Sequence, residues 1–243
     1  QRGGVAACAK HFPGLGNTDI DTHLALPVLD TSFEQLVEHD LKPFRTPIEN
    51  GIASIMTTHT IFSALDTELP VTLSATIIQR LLREDLDFQG VVTSDCMEMH
   101  AITKNFTPGE TAVLGALAGL DMIVFSHTRA LQEAAYEGLL AAAESGRVPL
   151  EKIDAANKRV ATLKAAYPAQ PTNLNLIRQP AHIELALEAA RASTTLVEDA
   201  GLLPLTGNVA LIEFDSRFDS GIQEVGGVSG FAAALRQHFP KLS

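Results

Sequence analysis

The stretch Ser74-Ala75-Thr76-Ile77-Ile78-Gln79-Arg80-Leu81-Leu82-Arg83-Glu84, followed after Gly90 by Val91-Val92-Thr93-Ser94-Asp95, decides the fold class. Ile77, Ile78, Leu81 and Leu82 recur at helical spacing, Gln79, Arg80, Arg83 and Glu84 face the other way, and Ser74 is suited to cap the start. Val91 to Thr93 is too short and too continuously apolar for a second amphipathic helix, so it reads as a strand covered on both faces. Working outward, Val5 to Ala9, Ile52 to Met56 and Met122 to Phe125 are runs of the same kind. Helical patterns separate or succeed them: Pro108 to Leu117, Arg129 to Ser145, Leu150 to Ala166, and a segment from Ser32 to Asn50 interrupted at Pro43 and Pro47.

Strand and helix alternating through short loops specify a parallel α/β fold, either an open doubly wound sheet or a (β/α)8 barrel. Four units amount to half of a barrel, so on the barrel reading the other half is expected upstream. After Tyr167 the residues Pro168, Pro171 and Pro180 with Asn173 and Asn175 read as a linker. The expected organisation is therefore 1–167 as one domain, 168–182 as linker, and 183–243 as the beginning of a second α/β domain. That domain would open with a helix over Ile183 to Ala192 and a strand over Val209 to Ile212.

With 46% apolar and 19% charged residues and no low-complexity tract, the composition is that of a globular protein. A net charge of −11 with scattered Lys and Arg excludes a nucleic-acid partner and favours an uncharged ligand. No apolar run approaches the roughly 20 residues of a membrane span. Gln1-Arg2-Gly3-Gly4 lacks a signal-peptide pattern, so a cytoplasmic setting is the expectation, although the chain opens without Met. Cys8 and Cys96 lie in apolar strand-like contexts and are expected to act as small hydrophobes; neither metal, cofactor nor disulfide is expected.

In parallel α/β folds the chemistry collects at the carboxyl ends of the strands. Polar residues close each run: Lys10-His11 after the first, His59 after the second, Ser94-Asp95 at the third and Ser126-His127 after the fourth. Lys10 and His11 lead into a loop with Gly14, Gly16, Asp19, Asp21 and His23, a composition suited to facing a ligand. Lys10 could instead be an ion-pair partner for Asp95 or another acid, and His59 could equally be a hydrogen-bonded residue behind the site. Asp19 is expected to order the loop and Asp121 to bond backbone at a strand start. Met97 and Met99 are expected to pack, and His127, His182 and His238 to lie on the surface.

The stretch Lys10-His11-Phe12-Pro13-Gly14-Leu15-Gly16-Asn17-Thr18-Asp19-Ile20-Asp21-Thr22-His23 resembles the signature loop of the β-N-acetylhexosaminidase (β-N-acetylglucosaminidase) branch of glycoside hydrolase family 3. Phe88 to Asp95 with Met97-Glu98-Met99 is similar to the family's nucleophile strand. The resemblance runs from about Val5 to Tyr167. It implies the C-terminal half of a (β/α)8 TIM-type barrel followed by the start of a second α/β domain. It also implies Asp95 as nucleophile, His23 oriented by Asp21 as general acid/base, and Lys10, His11 and His59 as sugar-binding groups, with no cofactor. The partner it implies is an N-acetylglucosamine-containing oligosaccharide or cell-wall fragment. Leu15 and Asn17 depart from the family pattern, which commonly has His and Asp there; neither is assigned proton transfer, so the departures bear on substrate fit. Three further activities stay open at this point: a phosphorylase, since a His repels phosphate less than a second carboxylate would; a β-glucosidase or β-xylosidase of the same family; and a noncatalytic sugar-binding protein.

Overall fold

The computed structural model describes residues 1–169, 173–198, 200–201, 203–207, 209–212 and 230–239. Gln1–Pro168 forms one compact unit, and the described residues after it belong to a second. The first unit is built on four parallel strands, β1 (Cys8–Phe12), β3 (Ser54–Thr57), β5 (Val91–Cys96) and β6 (Met122–Val124), hydrogen-bonded in that spatial order. Two further strands, β2 (Val28–Leu29) and β4 (Ile61–Phe62), form a small parallel pair of their own. Two-residue strands carry no periodicity, so the sequence offers no sign of them.

Each expected run became a strand, with shifted ends. Val5 is 73% exposed and outside β1, because pairing begins only where Cys8 meets Ser54 and continues to Phe12 opposite Thr57. Cys8 is not packed as a small hydrophobe: burial alternates along β1, and Cys8 lies on its exposed side. The helix before β5 spans Thr76–Asp85 and buries Ile77, Ile78, Leu81 and Leu82 as the pattern requires. It is wound as a π-helix, with Leu86 N–H reaching Leu81 O at 3.1 Å, and Ser74 Oγ accepts from Ile77 N–H at 3.3 Å. The Ser32 to Asn50 segment divides into short helices, Phe33–Gln35, Leu36–Asp40 and Lys42–Glu49; a reciprocal Ser32/Gln35 box caps the first, and Pro47 is accommodated inside the last.

After a one-turn helix at His100–Thr103 come helices Pro108–Ala118, Arg129–Glu144 and Leu150–Ala166. The first two cross at a pair of glycines: a Cβ on Gly138 would lie 2.5 Å from Gly109 Cα, so any side chain there would force the helices apart. The core between sheet and helices is formed by Leu36, Ile55, Phe62, Ile77, Ile78, Leu82, Val92 and Met97, with Phe12 packed edge-on against Phe44 at 5.2 Å. Met97 and Met99 are both buried.

Among its described residues the second unit contains a short 3-10 turn, Leu174–Leu176, and helices Pro180–Ser193 and Gly230–His238. The expected strand over Val209 to Ile212 is not formed: these residues are described and pair with no other strand among the described residues. An apolar run becomes a strand only when a neighbour accepts its backbone hydrogen bonds. No helix among the described residues is long and apolar enough to cross a membrane.

Asp121 ties the first unit together. Its side chain is fully buried, one carboxylate oxygen accepting from Arg83 Nη2 at 2.7 Å and Val92 N–H at 2.8 Å, the other from Arg159 Nε at 2.8 Å. Its own N–H donates to Val92 O at 2.8 Å. The expected strand-start contact is thus made, and two cations from separate helices converge on it. Removing a buried carboxylate strands both guanidinium groups, so Asp121→Ala should lower the unfolding free energy by about 3 kcal/mol. Urea denaturation followed by circular dichroism checks this, and an unchanged midpoint would contradict it.

Candidate active site

Parallel strands end on one side of a sheet, and the titratable groups gather there. Lys10 and His11 lie within β1 and Asp95 is the penultimate residue of β5, each at an irregularity in the pairing: the β1–β3 register shifts between Ala9 and Phe12, and the β5–β6 register between Thr93 and Cys96. The peptide bonds Lys10–His11 and Phe12–Pro13 are cis. The loop beyond β1 is tied at several points. Gly14 N–H donates to His11 O at 2.7 Å, and Gly16, at φ +68°, backs onto the Leu29 side chain where a Cβ would collide. Ala101 N–H donates to Thr22 O at 3.3 Å and Lys104 Nζ to Leu24 O at 2.9 Å, fastening the loop to the segment beyond β5.

At the loop's turn, Asp21 Oδ1 accepts from His23 N–H at 2.8 Å and meets His23 Nδ1 at 2.6 Å. The carboxylate is held below its ordinary pKa by the His23 backbone N–H first and the His23 ring second. Because Nδ1 faces an acceptor, it carries a proton, which leaves Nε2 as the nitrogen free to exchange one. Asp19 makes no hydrogen bond among the described residues; Thr18 Oγ1, accepting from Ile20 N–H at 3.0 Å, orders that part of the loop instead.

Asp95 is held differently. Cys96 N–H donates to its Oδ1 at 2.7 Å, and His11 Nε2 lies 3.2 Å from Oδ2. Burial pushes this carboxyl up, but the His11 and Cys96 donors outweigh it and bring the pKa down to about 2. Asp95 is therefore ionised at any physiological pH. The alternative of a Lys10–Asp95 pair is not formed: His11 takes that place, and Lys10 is exposed with no partner among the described residues.

A pocket of about 750 Å³ brings these groups together, lined by Lys10, His11, Asp19, Asp21, His23, Asp95 and Cys96 with the apolar side chains of Leu15 and Ile20. His59 does not reach it. Only 1% exposed, it directs Nε2 at Cys96 O (2.9 Å) and Nδ1 at Thr72 Oγ1 (2.9 Å), and burial pushes its imidazole down to about 4. A neutral ring donating Nε2–H to the Cys96 carbonyl holds the residue whose N–H is presented to Asp95. The expected sugar contact at His59 is thus replaced by support from behind, since both ring nitrogens are already engaged.

Thr72 and the Cys96 backbone carry no signal in the sequence. A backbone N–H is common to nearly every residue, and Thr72 meets His59 only through the fold. Glu98 stands out in the sequence only as part of a motif. It is buried, with Oε1 accepting from His127 N–H at 2.7 Å and Oε2 from Thr128 N–H at 3.0 Å at the start of helix Arg129–Glu144.

Residues 1–163 match the family described as glycosyl hydrolase family 3 N terminal domain. Beta-hexosaminidase A of Pseudoalteromonas piscicida is 32% identical over 231 residues, covering 86% of this chain and 39% of its own length. The beta-hexosaminidase of Methylobacillus flagellatus is 37% identical over 124 residues, covering 51% of this chain and 35% of its own. Among solved structures, a glycoside hydrolase family 3 beta-N-acetylglucosaminidase from Paenibacillus sp. str. FPU-7 matches 99% of this chain and 53% of that one, at 32% identity and a TM-score of 0.75. The chain thus spans about a third to a half of the length of these relatives. The parallel α/β architecture is the one that the Paenibacillus structure has over the matched residues.

The hold on Asp95 has a measurable sign. Its folded pKa lies below the reference 3.8, so its ionisation stabilises the fold above about pH 4, and that contribution is lost as pH falls toward 2. His11→Ala removes one of the two lowering donors and leaves burial in place, so the carboxyl pKa should rise. A carbon-13 NMR titration of the Asp95 side chain reads the shift directly, and an unmoved midpoint would mean that His11 is not the donor.

Proposed function

This chain belongs to glycosyl hydrolase family 3, and on that premise we propose that it carries the catalytic groups of a retaining exo-β-N-acetylhexosaminidase acting on terminal β-linked N-acetylglucosamine. The observation that carries the reading is the 2.6 Å Asp21–His23 pair opening onto the same pocket as the ionised Asp95. Retention requires a carboxylate at the anomeric carbon and a proton donor at the leaving oxygen. In this reading Asp95 attacks the anomeric carbon while His23 Nε2 gives its proton to the departing oxygen, forming a glycosyl-Asp95 ester. His23, now neutral with Nδ1–H still bonded to Asp21, takes a proton from water through Nε2 as that water opens the ester. Asp21 steadies the imidazolium before the first transfer and fixes the tautomer between the two.

Lys10 and His11 fit the role of groups that bond sugar hydroxyls, Lys10 because it lines the pocket without a partner among the described residues and His11 through Nδ1, its Nε2 being turned to Asp95. The named relatives are hexosaminidases, which supports an acetamido sugar as the ring in the pocket. The terminal position of the cleaved sugar fits a chitin-like oligosaccharide or a cell-wall fragment.

Hydrolysis of an aryl N-acetyl-β-glucosaminide beside the matching glucoside tests the reading. The acetamido substrate should be preferred, with free sugar as product. Asp95→Asn should lower kcat by more than about 10⁴-fold. His23→Gly should lower kcat/KM by about 10²–10⁴-fold on a poor leaving group and by less on a good one. Preference for the glucoside, or full activity in His23→Gly, would overturn the assignment, and a sugar 1-phosphate formed in phosphate buffer would replace hydrolysis by phosphorolysis.

A further inference from the structure

Beside the pocket, the ends of β5 and β6 bring together a second set of side chains to which the proposed reaction gives no part. The thiol of Cys96, the carboxylate of Glu98 and the imidazole of His127 each present a ligand atom, all within 4.8 Å of one another. Ser126 Oγ bridges two of them, 2.8 Å from Cys96 Sγ and 2.9 Å from His127 Nδ1. We propose that Cys96, Glu98 and His127 form a binding site for a zinc-class divalent cation, separate from the His23–Asp21 pair.

The donor set selects the ion. Sulfur, nitrogen and one carboxylate oxygen suit zinc, whereas magnesium and calcium prefer oxygen alone. Bond lengths of about 2.0–2.3 Å place tetrahedral ligands about 3.3–3.7 Å apart, so the three atoms need to close by little more than about 1 Å around an ion. Side-chain rotation supplies this at His127 and Ser126, which are exposed and give an ion its route in, while Cys96 is fixed by its strand. The Ser126 hydroxyl, already between sulfur and nitrogen, can serve as the fourth ligand or yield that position to water.

Support from behind is in place as well. Glu98 is oriented by His127 and Thr128 N–H groups, the kind of outer contact that aims a ligating carboxylate. Those contacts alone would make Glu98 a cap for helix Arg129–Glu144. A cap, however, requires neither a thiol nor an imidazole, and both are drawn to the same side.

Equilibrium dialysis of the complete polypeptide against Zn²⁺ tests the site, with Co²⁺ as a spectroscopic substitute. One equivalent of Zn²⁺ should bind, and His127→Ala, Glu98→Gln and Cys96→Ser should each weaken it at least about tenfold. Co²⁺ should give a thiolate charge-transfer band that Cys96→Ser abolishes. His127 is exposed, so its variant keeps the test valid if Cys96→Ser fails to fold. Absence of stoichiometric binding, or binding lost in His23→Ala and kept in His127→Ala, would overturn the proposal.

Discussion

One buried carboxylate sets the geometry on which the rest of the first unit rests. Asp121 exchanges two hydrogen bonds with Val92, and this fixes the register of β6 against β5 at the end of the sheet opposite the pocket. Arg83 and Arg159 come to it from helices before and after these strands. A strand pinned at its start delivers its far end to a defined place, and the far end of β5 is Asp95. A one-residue slip would turn every β5 side chain to the other face and take the carboxylate out of the pocket.

The two halves of the proposed chemistry are held in contrasting ways. Asp95 is tied to backbone and to His11, which reaches it from β1 across the end of β3, and the donors around it stabilise its charge against the cost of burial. His23 and Asp21 are both close to half exposed, on the loop that follows β1. A nucleophile must meet one atom at one distance, so rigidity suits it. A proton carrier has to serve a leaving group and then a water, and solvent access suits that. His59 illustrates a third mode, acting from inside the core on the Cys96 peptide without touching the pocket.

Most of the architecture was legible because apolar continuity and helical period are local properties. Ile77, Ile78, Leu81 and Leu82 declare their helix, and Val91 to Thr93 their strand. The convergence of Asp21, His23 and Asp95 on one pocket was foreshadowed too, the first two by a loop and the third by a strand end that resemble a known family. The features that escaped reading depend on meetings between distant residues. The exposure of Cys8 comes from the alternation of faces along β1, the seclusion of His59 from contacts to Thr72 and Cys96, and the unformed strand at 209–212 from want of a partner among the described residues. The wide winding of helix Thr76–Asp85 likewise leaves no trace in a pattern that fits an ordinary helix equally well.

The Asp21–His23 contact joins residues two apart on one turn, with both the ring and the backbone N–H of His23 bonded to the same oxygen. Such a pair is a self-contained module. When its loop shifts as a body, the distance to substrate changes while the internal hydrogen bonds travel unaltered. Reach and orientation are thereby decoupled: lengthening or reshaping the flanking segments can adapt the module to a different leaving group while the ring stays fixed against its carboxylate.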